Sequence, residues 1–466
     1  MSVTTGQIVS LGVRNRCIAR AGLFLRRHQG AILAVQWAIV LVYLVLVLVP
    51  VFLPLPAQDA VILGSFTRIS ELVFWGLWWP FVVISIMVFG RAWCGLLCPE
   101  GTLTEWVSQY GLGLKVPRWI KWCGWPFVAF MTVALYGQLM SLHEFPQPTL
   151  LILGGSTVVA MVIGLLYGRG KRVWCRYLCP VCGVFEIMAR VAPVHFQVDR
   201  EAWDAAPHGS RTSLQHRVNC APLIDIRRMK SASDCQMCGR CAGERGAVQL
   251  ALRSPGAEIL DGSRRREPDM SDRWLARLLV CGMIGAALGA FQWSVSPWFE
   301  AAKLAAAAWL RTHGLFWPLG SPGHWWIMTY YPAADDMFSW LDGAMVVAYI
   351  SAEALVIGGW VAVWMRIAGS LAGLPWQRMA EVLIPFAGIN LFIGSSLLAV
   401  SQNAGTDVLP SWTAAACMVL LGLATLWGAS VAVRLTRRRV AALAVVAAAA
   451  LPLAAWSVEF FVWHAL

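Results

Sequence analysis

Nine apolar runs divide the chain, at about 31–53, 71–90, 122–141, 149–168, 275–296, 342–365, 382–401, 412–433 and 440–458. Each holds few charges and approaches or exceeds about 18 residues, the length a helix needs to cross roughly 30 Å of hydrocarbon. The pattern predicts an all-α polytopic membrane protein of about nine transmembrane helices. A polar, arginine-rich stretch at 195–273 separates the fourth run from the fifth and predicts a small soluble insert. The chain thus divides into a basic N-terminus (1–30), a four-helix membrane unit (31–194), the insert (195–273) and a five-helix membrane unit (274–466).

Composition agrees. Hydrophobic residues make up 58% of the 466 positions, mean hydropathy is +0.63, and only 13% are charged, against about 25% in soluble proteins. The net charge of +12 would suggest nucleic acid in a soluble chain. Here its distribution explains it, because Lys and Arg mark the loops on the cytoplasmic side. With the N-terminus inside, all but Arg68, Lys303 and Arg311 of the 37 Lys and Arg residues fall in inner loops or adjoining helix ends. The insert is then cytoplasmic and nucleic acid is excluded as a partner, leaving membrane lipid. Arg14, Arg16, Arg20, Arg26 and Arg27 precede the first run. That segment is too long and too polar for a signal-peptide n-region, so the first run reads as a retained anchor. A Trp-, Pro- and Gly-rich loop at 297–341 falls outside, with Trp325, Trp326, Tyr330 and Tyr331 as interfacial anchors.

The first four runs form two copies of one unit. Each helix pair returns to the inner side at an Arg, one further residue and a Trp, then Cys-x3-Cys-Pro: Arg91-Ala92-Trp93-Cys94 to Cys98-Pro99, and Arg172-Val173-Trp174-Cys175 to Cys179-Pro180. Cytosolic thiols stay reduced, so clustered cysteines on that side point to metal or redox chemistry rather than disulfides. On a helix the two thiols of each motif lie one turn apart on one face, and the following proline marks a helix end. Internal repeats in membrane proteins place shared sites at the repeat interface. Cys94, Cys98, Cys175 and Cys179 are therefore a candidate four-thiolate site, with Cys182 as a further ligand. Copper(I), an iron–sulfur cluster or a redox-active thiol pair would suit them; buried structural cysteine is the alternative.

The insert carries Cys235-Gln-Met-Cys238-Gly-Arg-Cys241, the C-x2-C-x2-C spacing that holds a 4Fe–4S cube. Arg245 occupies the place of the fourth ferredoxin cysteine. Cys220, followed by Ala221-Pro222, stands where the fourth cysteine of an upstream motif would be, and that motif has Ser210, Ser213 and His216 in its cysteine positions. One ligand set remains, Cys220, Cys235, Cys238 and Cys241, predicting one 4Fe–4S cluster. A structural zinc is the competing reading, although zinc sites favour two separated pairs. Arg227, Arg228, Lys230 and Arg240 nearby would stabilise a reduced cluster or dock an acidic donor, unless they are ordinary inner-loop charges.

Residues 30–245 resemble the membrane polyferredoxins of the periplasmic nitrate reductase and nitrous oxide reductase systems, and the copper-handling assembly factor of cbb3-type oxidase, in the paired Cys-x3-Cys-Pro motifs followed by a cytoplasmic ferredoxin domain. The resemblance implies a bacterial inner-membrane electron-transfer subunit rather than a stand-alone enzyme. Electrons would pass from a cytoplasmic or quinone donor to a membrane or periplasmic redox protein. It matches Cys94, Cys98, Cys175 and Cys179 to the membrane-proximal pairs, and Cys235, Cys238 and Cys241 to one ferredoxin motif. A copper-reducing assembly factor is the second reading, and a transporter with a regulatory ferredoxin domain the third. The chain departs from the pattern in its single cluster set, its lack of a large outer domain and its five extra helices.

Among the remaining residues, Glu353 and Asn390 fall within spans, where a polar group is either functional or a bonded packing residue, and Glu381 is expected at the interface. His143, His313, His324 and His464 lie at or beyond the outer boundary, which argues against a paired-histidine haem. The absence of C-x-x-C-H argues against attached haem. Cys17, Cys123, Cys281 and Cys417 read as packing.

Overall fold

A computed structural model describes residues 13–55, 64–206, 218–229, 231–261, 267–404 and 410–465. Ser210, Ser213, His216 and Lys230 lie outside the described residues, as does the side chain of His464. Among the described residues, eight helices are long and apolar enough to cross a bilayer: Gln29–Phe52, Phe66–Phe89, Pro146–Tyr167, Met270–Val295, Trp340–Ala372, Trp376–Val400, Thr413–Thr436 and Val440–Phe460. The fold is all-α and multi-pass. The expected span at 122–141 is the exception. It forms a 15-residue helix, Trp125–Leu139, about 22 Å long at 1.5 Å per residue, shorter than the hydrocarbon core. Pro126 sits at its start, where a missing N–H costs nothing, and the residues before it fold into turns that set Trp119 and Trp122 edge-on to Trp125.

The two membrane units share one core. Val82 and Ile86 of the second span, Val184 to Met188 after the second cysteine motif, and Leu278 to Leu288 pack in the same cluster as Ile384, Leu421, Val445 and Trp456. Hydrophobic attraction between helices is absent in lipid, so close backbone approach must supply dispersion, and glycines allow it. A Cβ on Gly428 would stand 2.5 Å from the carbonyl oxygen of Val382, and one on Gly285 would stand 2.8 Å from Cα of Ala354. Two sequence expectations are settled by partners. Asn390 donates to the Met283 carbonyl at 2.9 Å and accepts from Trp456 Nε1 at 2.8 Å, so it is a bonded packing residue. Glu381 stands near the start of the span Trp376–Val400. It is buried between Arg190 (2.6 Å) and Arg378 (2.5 Å), an ion cluster that ties the two units together beneath the insert.

The insert is built on a two-stranded antiparallel sheet, Val194–Val198 with Val248–Leu252, in the register Val194↔Leu252 to Val198↔Val248. Phe196, Val248 and Leu250 turn to a small core that includes Cys235, Met237 and Ala242. The N-terminal helix Val13–Arg27 lies across this sheet, where Gly22 passes so close that a Cβ would meet that of Leu250 at 2.9 Å. The basic segment before the first span is thus an integral wall of the insert.

Candidate functional site

The two Cys-x3-Cys-Pro motifs fold alike. In the first, the short helix Ala92–Leu96 ends as Leu97 N–H and Cys98 N–H both donate to the carbonyl of Trp93, at 3.0 and 2.9 Å. In the second, Val173–Tyr177 ends as Leu178 N–H and Cys179 N–H both donate to Trp174, at 2.9 and 3.1 Å. The prolines after Cys98 and Cys179 force this stop. Cys98 then caps the helix Pro99–Ser108, its sulfur accepting from Gly101 N–H at 3.4 Å. The helix N-terminus lends partial positive charge there, but burial, with Cys94 and Glu100 nearby, outweighs it and pushes the bare Cys98 thiol up to about 12.

The repeats bring their thiols to one cavity of about 150 Å³, lined by Cys94, Cys98, Cys175, Cys179 and Cys182 at its polar end. Tyr43, Phe74, Trp78, Trp79 and Trp93 line its apolar remainder. π-helical turns at Leu72–Trp78 and Leu150–Gly154 put Phe74, Trp78, Ile152 and Leu153 on its wall; such bulges recur at functional sites. Glu100 also faces the cavity, accepting from Ser156 at 2.7 Å. Burial raises its carboxyl above the usual range.

Cys220, Cys235, Cys238 and Cys241 form a second convergence. All six pairs among these thiols lie within electrostatic reach of one another. The loop is shaped by left-handed turns at Met237 (φ 56), Gly239 (φ 77) and Gly243 (φ 73), and Met237 N–H donates to the Cys235 sulfur at 3.3 Å. Such N–H···S bonds tune cluster potentials. Burial pushes the bare Cys235 thiol well above its ordinary value and the Cys241 thiol up to about 12. Loading a metal centre therefore releases protons here. Among the described residues no three His, Cys, Asp or Glu groups are close enough to hold one metal ion. A tetrahedral zinc with Zn–S of about 2.3 Å needs its sulfurs almost in contact; a four-iron cube spreads them. The donor chemistry and spacing fit the cluster.

The two convergences touch. Gly95, between Cys94 and Cys98, carries the backbone of the Cys235–Cys238 loop: a Cβ there would lie 1.9 Å from the Gln236 carbonyl oxygen and 2.8 Å from Cys238 N. The repeat arginines clamp this contact. Arg91, 4% exposed, donates to the Ser233 carbonyl at 3.0 Å. Arg172, 2% exposed, donates to the Cys94 carbonyl at 2.6 Å and to Glu105 at 2.7 Å. Glu105 in turn pairs with Arg240, between Cys238 and Cys241, at 2.5 Å. Burial opposes ionisation of Glu105, but Arg172 and Arg240 outweigh it and hold the carboxyl below its usual range. Arg227 and Arg228 face away, paired with Asp204 and Asp225. Glu105, Gly95 and the N-terminal helix were not singled out in the sequence. Arg91 and Arg172 were visible in the duplicated motif.

A 4Fe-4S binding domain family matches the chain at residues 72–123 and 150–198. The matched segments are the two repeats with Cys94, Cys98, Cys175, Cys179 and Cys182, and they stop short of Cys220. The chain is 25% identical over 235 residues to YccM of Escherichia coli K12, a protein named for electron transport, covering 45% of this chain and 62% of that one. It is 29% identical over 133 residues to the regulatory protein NosR of Pseudomonas aeruginosa, 24% of this chain and 18% of that one. It is also 29% identical over 132 residues to the methylamine utilization ferredoxin-type protein MauN of Methylorubrum extorquens, 26% and 45%. In the two matched segments the chain resembles 4Fe-4S binding membrane proteins. It spans less than two thirds of the length of each of these relatives, and no solved structure matches it. The family match supports an iron–sulfur cluster as the cofactor of this region.

Proposed function

We propose that the chain is a membrane-bound electron-transfer protein with two iron–sulfur sites in series. Cys220, Cys235, Cys238 and Cys241 would hold one 4Fe–4S cluster in a cytoplasmic insert, and Cys94, Cys98, Cys175 and Cys179 a second centre at the inner membrane surface. Clusters supply one-electron storage at each site; the protein holds the two thiolate sets in contact and excludes water between them. The carrying observation is the packing of the Cys235–Cys238 backbone on Gly95. A cytoplasmic or quinone donor would feed the relay, and a membrane or periplasmic redox protein would receive its electrons. The apolar, aromatic wall of the membrane cavity suits a lipid-soluble donor. Iron–sulfur is preferred over copper at the membrane set because the 4Fe-4S family match falls on those cysteines. If copper binds there instead, the protein is a metal-handling assembly factor.

Anaerobic purification with iron, sulfide, copper and zinc analysis, joined to low-temperature EPR of the reduced protein, tests the reading. Roughly eight irons and eight sulfides per chain are expected, four of each lost in Cys238→Ser and the other four in Cys98→Ser. Stoichiometric copper lost in Cys94→Ser would favour the assembly factor. Zinc without sulfide would remove the redox reading altogether.

A further inference from the structure

The five-helix unit contains a second polar cavity, at the end of the bundle far from the cysteines. Its wall is formed by Gln292, Ser296, Tyr349, Glu353 and Glu459. Met270–Val295 starts beside the insert, so Gln292 stands about 33 Å along that helix from the cysteine side. The cavity measures about 90 Å³ and is lined on one side by Pro297 and by Trp298, which is 72% exposed and so borders solvent or lipid. Within it, Glu459 is 4% exposed and faces the amide of Gln292, 5% exposed; neither Glu459 Oε2 nor Gln292 Nε2 makes a hydrogen bond of ordinary geometry. Glu353 is seated by a close helix crossing. A Cβ on Gly289 would lie 2.9 Å from Cβ of Glu353 and 3.2 Å from its Cγ, so Gly289 makes the room this carboxyl occupies.

Carboxyl groups in a membrane interior are costly unless neutralised, and they mark ion or proton sites. No Lys or Arg lines this cavity. The titratable groups facing it are Tyr349 and Glu353 from one span and Glu459 from another, with Cys417 behind Glu459. On the adjoining helix Pro297–Thr312, Glu300 is exposed and Lys303 is engaged with Asp342 at 3.5 Å. Neither carboxyl therefore has a fixed counter-charge, and the cavity is too small for an organic headgroup with its solvent. We propose that this cavity is a proton-exchange site in which Glu353 and Glu459 take up and release protons through the mouth at Trp298. It is separate from the electron relay and stands whether or not that reading holds.

The test is infrared difference spectroscopy of the full-length protein in liposomes, stepped between acidic and alkaline buffer in sodium-free medium. Protonated-carboxyl C=O bands are expected to disappear on alkalinisation. One component should be absent in Glu459→Gln and a different one in Glu353→Gln, with iron and sulfide content unchanged as the check on folding. Bands unmoved by pH in the wild type, or a difference spectrum identical in both variants, would overturn the proposal. So would bands displaced by sodium at fixed pH, which would make the site one for a metal cation. A variant lost to misfolding leaves the wild-type pH step as the deciding measurement.

Discussion

Arg172 Nε meets Glu105 Oε2 at 2.7 Å across 67 residues of sequence, and the other oxygen of that carboxyl holds Arg240 of the cluster loop at 2.5 Å. One carboxylate thus joins all three cysteine motifs, since Glu105 follows Cys98, Arg172 precedes Cys175 and Arg240 precedes Cys241. Removing one partner of a buried pair leaves an uncompensated charge, at about 3–5 kcal/mol. Glu105→Ala strands Arg172 at 2% exposure. We expect it to lower the melting temperature and to release iron from the insert site on dilution, while Arg227→Ala, exposed and facing away, changes neither. Iron retained at wild-type level in Glu105→Ala would show that the carboxylate does not hold the motifs together.

The same linkage has a pH sign. The folded carboxyl of Glu105 titrates below its unfolded value because Arg172 and Arg240 overcome the effect of burial. Its stabilisation is therefore complete above the unfolded value of about 4.3, and is lost as pH falls through the lower folded value. His195 acts in a higher window. Burial, and secondarily Arg253, lowers its imidazole to about 4. The unfolded chain takes up this proton near 6.5 and the folded insert does not, so stability falls as pH drops from about 6.5 to about 4. Denaturant melts of the holoprotein over that range should show a slope that flattens in His195→Gln. An equal slope in both proteins would remove His195 from the account.

Gly95→Ala probes the contact between the two sites. The added methyl would sit 1.9 Å from the Gln236 carbonyl oxygen, so backbone must move, not a flexible side chain. Overpacking of a tight site costs about 1–3 kcal/mol. The insert should lift from the membrane unit, and protease should cut the 199–234 segment faster. Reduced-cluster EPR should lose any broadening that arises from a neighbouring paramagnet. Gly155→Ala, which meets open space, is the matched control and should leave cutting and EPR unchanged.

Much of this was legible in the sequence, for reasons that differ by element. The spans were readable because hydrocarbon thickness fixes a length that composition alone reveals. The exception, 122–141, failed because apolar content does not show where Trp119 and Trp122 turn the chain before Pro126. The two groups of cysteines that converge were readable from thiol spacing, which is local. Their contact was not: Gly95 against Gln236 is a pairing across more than a hundred residues, and a lone glycine in a helix gives no sign of what stands opposite. The ion pairing of Glu381 was hidden for the same reason, since its partner Arg190 is 191 residues away. Glu459 escaped notice near the chain end, where only packing shows that it shares a cavity with Glu353.

The N-terminal helix is the wall of the insert nearest the cluster loop. Leu25 packs over Gly239, Arg26 donates to the Ala242 carbonyl at 2.7 Å, and Gln29 donates to the Cys238 carbonyl at 3.0 Å while accepting from Arg240 at 3.3 Å. Gln29 therefore touches the chain on both sides of Gly239, and its amide dipole lies against the peptide of Cys238. Hydrogen bonding and solvent exposure set cluster potentials, so the helix would tune a cluster held by this loop as well as cover it. Gln29→Leu keeps the bulk and removes both bonds, each worth about 0.5–1.5 kcal/mol. We expect a shifted midpoint in a redox titration of the insert cluster, and faster bleaching of its absorbance in air. Leu33→Gln, on an exposed face of the following span, should alter neither. An unchanged midpoint in Gln29→Leu with faster bleaching would leave the helix a cover alone, and no change in either would mean that the cluster loop keeps its shape without it.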